Sequence, residues 1–279
     1  MSRRNAPGIE TAVLTLALAW GAACTSSNSS PRSLSASERP APALSLVAKI
    51  RKADYEGNRA ELARLFVQMA AYTEGPDASR ARYWRGFAMW RRALNGFNDK
   101  ADPAELSADL KSAIQEFEKS FTLDSGFTDA RIADASCWGN LAYLAAGPER
   151  MSGFHRSMDL MDVAKKEAPD NPRLAWVAGA TQFYTPARIG GGQEKAIETY
   201  RAGLEAARRE RVAGALDPSW GEPELLMNLA FSNLNRADPD VTAADRYARA
   251  ALALVPNWHY IKDILIPQIE AAQKAAGKP

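Results

Sequence analysis

The stretch ADRYARAALALVPN, residues 244–257, carries the clearest structural signal in the chain. Its small residues Ala244, Ala248 and Ala251 are four and three positions apart, which places them on one face of an α-helix. Pro256 then ends the helix, because proline cannot continue the backbone hydrogen bonding. A face of alanines lets a second helix pack closely. The stretch therefore predicts one half of a helical hairpin.

The same pattern occurs three times earlier in the chain, beginning at Ala113, Ser157 and Ala196. Each of the four copies follows a nine-residue segment that ends in an aromatic residue. These segments are 82–90, 135–143, 175–183 and 223–231, with Gly86, Gly139, Gly179 and Met227 at their midpoints. Self-similarity of this kind indicates a helical repeat, and nothing in the body of the chain is typical of a strand. The predicted fold class is all-α.

Over roughly residues 80–270 the pattern resembles the tetratricopeptide repeat (TPR) family. The resemblance implies an α-α superhelix, a solenoid of helical hairpins. The expected repeats cover approximately 80–125, 130–169, 172–207 and 222–256, followed by a capping helix over 258–276. A further helical pair is expected over 43–75, split at residues 56–58.

The spacing inside the repeats departs from the family pattern. Ala113 follows Gly86 by 27 residues, whereas the corresponding distances in the other three repeats are 17 or 18. We therefore expect either helices longer than the family norm or long intra-repeat loops, near 95–109 and again near 186–193. Extra loops on one edge of a solenoid often lie on its binding face.

The composition excludes one class of partner. The chain has 35 basic and 33 acidic residues, a formal net charge of +2. Nucleic-acid binding requires clustered positive charge to displace counterions, and this chain is close to neutral. We expect no nucleic-acid partner.

The N-terminus is typical of an export signal. Arg3 and Arg4 precede a short apolar run over 11–20, which is too short to span a bilayer. The run ends in Gly21-Ala22-Ala23-Cys24, which resembles a bacterial lipobox. That resemblance implies cleavage after residue 23 and lipidation of Cys24. Gly21 departs from the leucine usual at that place, so ordinary cleavage with Cys24 unmodified is the alternative.

A serine-rich segment follows, and residues 24–41 are interpreted as a flexible tether to the domain 42–279. By resemblance to Gram-negative lipoproteins, Thr25 implies a lipid anchor in the outer membrane, facing the periplasm. The membrane is then contacted only through this lipid.

A second resemblance concerns transport. An acylated N-terminus, four helical repeats and the glycine-rich loop GGGQEKA at 190–196 look like the T components of TRAP transport systems. Those proteins are periplasmic lipoproteins implicated in solute handling. The loop lacks the Gly-Lys-Ser/Thr ending of a Walker motif, so we interpret it as a turn rather than a phosphate site.

The chain has few residues of the types that usually carry catalysis or bind metal ions. His155 and His259 are far apart and have no metal-ligand neighbours in sequence, so we expect no metal and no cofactor. Cys137, within an apolar helical pattern, is predicted to be a buried small residue. Asp124, Asp129 and Asp134 are five residues apart and are predicted to be solvated surface carboxylates. We predict that the protein is not an enzyme.

Candidate binding residues come from the repeat alignment. Asn140 and Asn228 occupy the same position in their respective repeats. In peptide-binding TPR domains this position faces the concave groove. Tolerated surface amides are the alternative. The helix YWRGFAMWRR, residues 83–92, could bind an anionic or aromatic ligand or simply pack into the core. The complete set of binding candidates is Asn140, Asn228, Trp84, Arg85, Trp90, Tyr143, Phe183 and Phe231.

Two functions follow from this architecture. In the first, a protein-interaction scaffold, the concave face binds a protein partner. In the second, a solute-binding accessory of a transport system, the domain holds a small molecule. A protein partner requires an open groove, whereas a solute requires an enclosed, mostly apolar pocket with a few converging polar groups.

Overall fold

The computed structural model describes residues 40–276, and these residues form eleven α-helices with no strand among them. The all-α class is therefore confirmed. The predicted signal peptide, Cys24 and nearly all of the predicted tether lie outside the described residues.

The helices are packed as successive pairs, as expected for a superhelix of hairpins. The pairs are α1 (Pro40–Tyr55) with α2 (Arg59–Met69), α3 (Ala78–Asn98) with α4 (Pro103–Leu123), α5 (Thr128–Leu144) with α6 (Gly147–Glu167), α7 (Pro172–Tyr184) with α8 (Gln193–Arg209), and α9 (Glu222–Asn235) with α10 (Val241–Leu254). A π-helical turn over Tyr260–Leu265 leads into the last helix, α11 (Ile266–Ala276). No helix within residues 40–276 is long and apolar enough to cross a membrane.

Local sequence determines where several helices begin. The Asn58 side chain accepts a hydrogen bond from the amide of Glu61 at the start of α2, and Asp240 does the same for Ala243 at the start of α10. Proline occupies the first turn of α4, α6, α7 and α9, where a missing N–H costs nothing. These caps satisfy backbone donors that would otherwise have no partner in the helix.

The expected long loop near 95–109 is wrong. Residues 99–102 form a short turn, and the additional sequence extends α3 and α4 to 21 residues each. Near 186–193 the chain does leave the helix, over residues 185–192, with a 3-10 turn at Ala187–Ile189. The longest connection between helices in the described part of the chain covers residues 210–221, which joins α8 to α9.

The 210–221 connection is part of the core. It places Trp220 against Trp90 and Trp176, and the three ring centroids are 5.6–5.7 Å apart. The Trp220 indole donates a hydrogen bond of 2.7 Å to the Tyr83 hydroxyl, and Trp84 donates one of 2.7 Å to the Leu216 carbonyl oxygen. The connection thus fills the space between α3 and α7.

The two ends of the helical array meet. The Tyr55 hydroxyl in α1 donates a 2.7 Å hydrogen bond to Glu224 in α9. The Tyr55 ring also contacts Trp258, just before the π-helical turn, with centroids 5.0 Å apart. The contact of α1 with α9 narrows the side shared by α1, α3, α5, α7 and α9.

The three aspartates predicted to be surface residues behave differently. Asp124 and Asp129 form ion pairs with Arg80 and Arg173 respectively. The prediction is wrong for Asp134, which is fully buried and whose carboxylate has no hydrogen-bond partner within residues 40–276. Burial, followed by the negative charge of Glu118, raises the pKa of Asp134 to about 8, and Arg156 opposes the shift. Cys137, one turn further along α5, is buried as predicted.

The mid-helix glycines set how closely the paired helices approach. A Cβ atom at Gly179 would lie 2.3 Å from the Tyr200 ring, and one at Gly86 would lie 2.9 Å from the Phe117 ring. At Gly139 the nearest atom would be Ser157 Oγ at 3.5 Å, an ordinary contact. Glycine is therefore sterically required at Gly179 and Gly86, and at Gly139 it is not.

We predict opposite effects for Gly179→Ala and Gly139→Ala. Gly179→Ala should lower the free energy of unfolding by about 1–3 kcal/mol, because the methyl group overlaps the Tyr200 ring. Gly139→Ala should be neutral or stabilising by up to about 1 kcal/mol, because alanine is the better helix former. Urea unfolding followed by circular dichroism measures both. Equal destabilisation by the two substitutions would contradict this packing.

Candidate functional site

A cavity of about 320 Å³, partly open to solvent, lies on the side of the array that the α1–α9 contact narrows. Its walls come from α1, α3, α5, α7, α8, α9 and the segment leading into the π-helical turn. The aromatic lining consists of Phe97, Trp176, Phe183, Tyr184, Tyr200, Phe231, Trp258 and Tyr260. The amide lining consists of Asn95, Asn98, Asn140 and Asn228. The cavity therefore combines a large apolar surface with a few polar groups.

The structure brings together four of the candidate binding residues. Asn140, Asn228, Phe183 and Phe231 all line this one cavity, although they belong to three different repeats. Tyr143 does not line it. Its ring lies 6.2 Å from Phe97, which is a lining residue, and its side chain is 72% exposed. Tyr143 is thus at the rim.

The other three candidates are not at the cavity. Trp84 and Trp90 are buried in the core, where their rings pack against Phe87. Arg85 donates hydrogen bonds to Glu116 and to the Phe66 carbonyl oxygen, at 2.6 and 3.1 Å. The arginine of this helix that does line the cavity is Arg91.

Arg91 forms a buried ion pair with Asp54 of α1. Its Nε donates to Asp54 Oδ2 at 2.8 Å, and Asn95 Nδ2 donates to Asp54 Oδ1 at 3.0 Å. Burial raises the pKa of Asp54, and the Arg91 guanidinium opposes that shift. Arg91 and Asp54 are the charged residues of the cavity lining, so their charges cancel.

Two donors belonging to cavity-lining residues are buried without a partner. Within residues 40–276, neither Arg91 Nη1 nor Trp176 Nε1 has a hydrogen-bond partner, and a water-sized probe does not reach either atom. The Arg91 guanidinium carbon lies 5.8 Å from the centroid of the Trp176 ring. A buried donor without a partner is unfavourable, so these two N–H groups lower the stability of the packing around them.

The tyrosine phenols of the lining are neutral at physiological pH. Burial raises the pKa of Tyr260 to about 12, with a contribution from Tyr184. Burial also raises the pKa of Tyr200, and a hydrogen bond with Asn228 opposes the shift. Within residues 40–276 no cluster of histidine, cysteine, aspartate and glutamate side chains is placed to hold a metal ion. The arrangement can bind an apolar molecule and satisfy a few of its polar atoms.

Sequence reasoning missed Asp54, Trp258 and Tyr260. Arg91 lies in the aromatic helix over residues 83–92 but is not among the predicted binding residues. Asp54 is 37 residues from Arg91, and only tertiary packing of α1 against α3 pairs them. Trp258 had a visible signal, because a tryptophan two residues after the helix-ending Pro256 is unusually apolar for a solvated turn.

Comparison with known proteins gives a likeness at the level of the fold. No family model matches the chain, and no curated protein matches it. A similar solved structure is the HusA haemophore from Porphyromonas gingivalis, which is 21% identical in sequence. The match covers 70% of this chain and 94% of that chain, with a TM-score of 0.55. The two chains share a helical fold.

Proposed function

We propose that this chain is an exported binding protein that holds one small, largely apolar molecule in the cavity. The observation that carries the proposal is the set of eight aromatic side chains that line a partly open cavity of about 320 Å³. Ligand sites of small molecules have this character, with volumes of roughly 300–1,000 Å³ and a few polar groups that fix orientation. The ligand would lie between the first helices of the repeats.

The geometry favours the solute-binding alternative over the scaffold that the repeat pattern alone had favoured. The contact of Tyr55 with Glu224 and Trp258 narrows the inner face to a cavity of small-molecule size, whereas an extended protein segment needs a long open groove. We therefore propose the solute-binding role of a TPR-type T component of a TRAP transport system. In that role the domain would hold a solute before its uptake.

The similar structure supplies a second probe. It is a haemophore, so haemin is a suitable ligand to test beside a neutral dye. We propose N-phenyl-1-naphthylamine as the dye, because its fluorescence rises when its rings leave water and it carries no charge. Tight binding of the dye would support the cavity as a ligand site whatever the natural ligand is.

We predict that Ala180→Trp abolishes dye binding without unfolding the domain. Ala180 lines the cavity from α7 but is solvent-exposed, so a larger side chain fills the cavity without displacing the core. The dissociation constant measured by fluorescence titration should rise by at least about tenfold, the factor that corresponds to about 1.4 kcal/mol. Binding of haemin, if observed for the natural sequence, should fall in parallel.

Ala202→Trp is the matched control for this experiment. Ala202 is an exposed alanine in the middle of α8 and does not line the cavity. The Ala202→Trp variant should bind the dye as tightly as the natural sequence does. Equal dye binding by all three proteins, or none by the natural sequence, would count against the proposal.

The anchor is a separate proposal, supported by the sequence around Cys24 and by the serine-rich segment after it. We propose that the mature chain begins at Cys24 and is held in the outer membrane by lipid. Intact-mass spectrometry of the membrane fraction should find a chain cleaved after residue 23 that carries acyl mass. A mature chain with an unmodified Cys24 would contradict lipidation and leave export unaffected.

A protein partner is the second candidate function, and one surface favours it. Met151, Phe154 and Met158 lie on one exposed face of α6, at spacings of three and four, and are 53%, 41% and 61% exposed. Contiguous exposed apolar side chains often mark a protein contact. Pull-downs from membranes with natural protein and with Met158→Glu test this surface. Recovery of the same proteins by the natural protein and by the variant would count against this surface as a partner site.

A further inference from the structure

The residues that line the cavity restrict its ligand beyond apolarity. We infer that the cavity selects a planar aromatic molecule over a saturated molecule with the same carbon skeleton. This inference rests on the proposed function and adds the chemical class of the bound molecule.

The wall of the cavity is aromatic rather than aliphatic. Eight of its eleven apolar residues carry aromatic rings, and Leu94, Ala180 and Met227 are the remaining three. An aliphatic wall stabilises an alkyl chain and a ring alike, in proportion to the apolar area that leaves water. Aromatic pairs gain further stabilisation beyond that area, because the negative face of one ring attracts the positive edge of another. A ligand with aromatic rings therefore gains a contribution here that a saturated one does not.

Neighbouring rings of the wall are steeply inclined to one another. The ring centroids of Phe183 and Tyr184 are 5.2 Å apart at an interplanar angle of 79°, and those of Phe183 and Phe231 are 5.8 Å apart at 59°. A flat ligand that lies parallel to one ring of the first pair is therefore inclined by 79° to the other. Offset-stacked and edge-to-face arrangements are the two favoured aromatic geometries. One flat ligand can thus meet both geometries at this wall.

The charged residues of the lining neutralise each other. Arg91 Nε and Asp54 Oδ2 are 2.8 Å apart, so the wall offers no free counter-charge to an ion. Aromatic faces also attract cations, but Trp176 already has the Arg91 guanidinium 5.8 Å from its ring centroid. Among uncharged ligands, the rings of the wall are the groups that distinguish an aromatic skeleton from a saturated one.

Tyr184 is the ring at which this selection can be tested without disturbing the core. It lines the cavity, yet its side chain is 74% exposed, so it lies where the cavity opens to solvent. Leucine at this position keeps an apolar side chain and removes the ring, whereas phenylalanine keeps the ring and removes the hydroxyl. Replacing so exposed a side chain changes the free energy of unfolding little.

Two alcohols with one carbon skeleton test the inference by displacing N-phenyl-1-naphthylamine. They are 2-naphthalenemethanol, which is flat and aromatic, and decahydro-2-naphthalenemethanol, its saturated form. The saturated alcohol has the larger apolar surface, so burial alone would make it the tighter ligand. The natural protein should instead bind the aromatic alcohol about fivefold more tightly, as expected for one or two favourable ring contacts.

Variants of the wall assign the preference to its rings. In Tyr184→Leu the preference for the aromatic alcohol should fall about threefold, whereas Tyr184→Phe should keep it. Phe231→Leu removes a second ring of the lining and should also lower the preference. Tyr247→Leu is the control, because Tyr247 belongs to α10, none of whose residues lines the cavity. This control should leave the preference unchanged.

The controls separate this inference from the proposed function. Circular dichroism and dye titration show whether each variant is folded with an intact cavity, and either leucine variant of the wall alone suffices for the test. Equal affinity of the natural protein for the two alcohols, or tighter binding of the saturated one, overturns the inference and leaves the proposed function standing. A preference that persists unchanged in Tyr184→Leu and Phe231→Leu also overturns it, because the preference then comes from the shape of the cavity. Failure of the natural protein to bind the dye overturns the proposed function itself, and the inference with it.

Discussion

The packing of Trp220 between Trp90 and Trp176 is the interaction on which the rest of the domain depends. Trp220 belongs to the 210–221 connection, a segment without helical structure that would be costly to order by itself. Two arginines hold the segment in place: the buried Arg173 donates to Glu210 and to the Trp220 carbonyl oxygen, and the half-buried Arg80 donates to Asp217. A simple stack of hairpins has only nearest-neighbour contacts, whereas this segment joins helices that are distant in the stack.

That insertion and the closure of α1 onto α9 together explain why a repeat fold holds a cavity. The tryptophan cluster fills part of the inner space, and the contacts of Tyr55 narrow the side that would otherwise remain a groove. What is left is a small volume with aromatic walls. The Arg91–Asp54 ion pair and the Trp176 ring, which stabilise the fold, also belong to the residues that line this volume.

The helices were predictable because their signals are local. Small residues and aromatics at spacings of three and four define faces, and equivalent positions in repeats point the same way, which is why Asn140, Asn228, Phe183 and Phe231 meet at one cavity. Features set by contacts between distant segments were not predictable. Trp220 lies in a stretch without periodicity, and the pairing of Arg91 with Asp54 depends on how α1 packs.

The surface position predicted for Asp134 was wrong for a related reason. Its spacing from the other aspartates in the sequence does not show which helices cover it. Its burial couples folding to proton uptake. The pKa of about 8 in the folded domain lies above the ordinary value of 3.8, so between these values folding takes one proton from solvent into α5. This contribution to stability is complete below pH 3.8 and declines by about 1.4 kcal/mol per pH unit until the folded carboxyl ionises near pH 8. Export would expose the domain to the pH of its surroundings. Alkaline surroundings then lower its free energy of unfolding, and mildly acidic ones raise it.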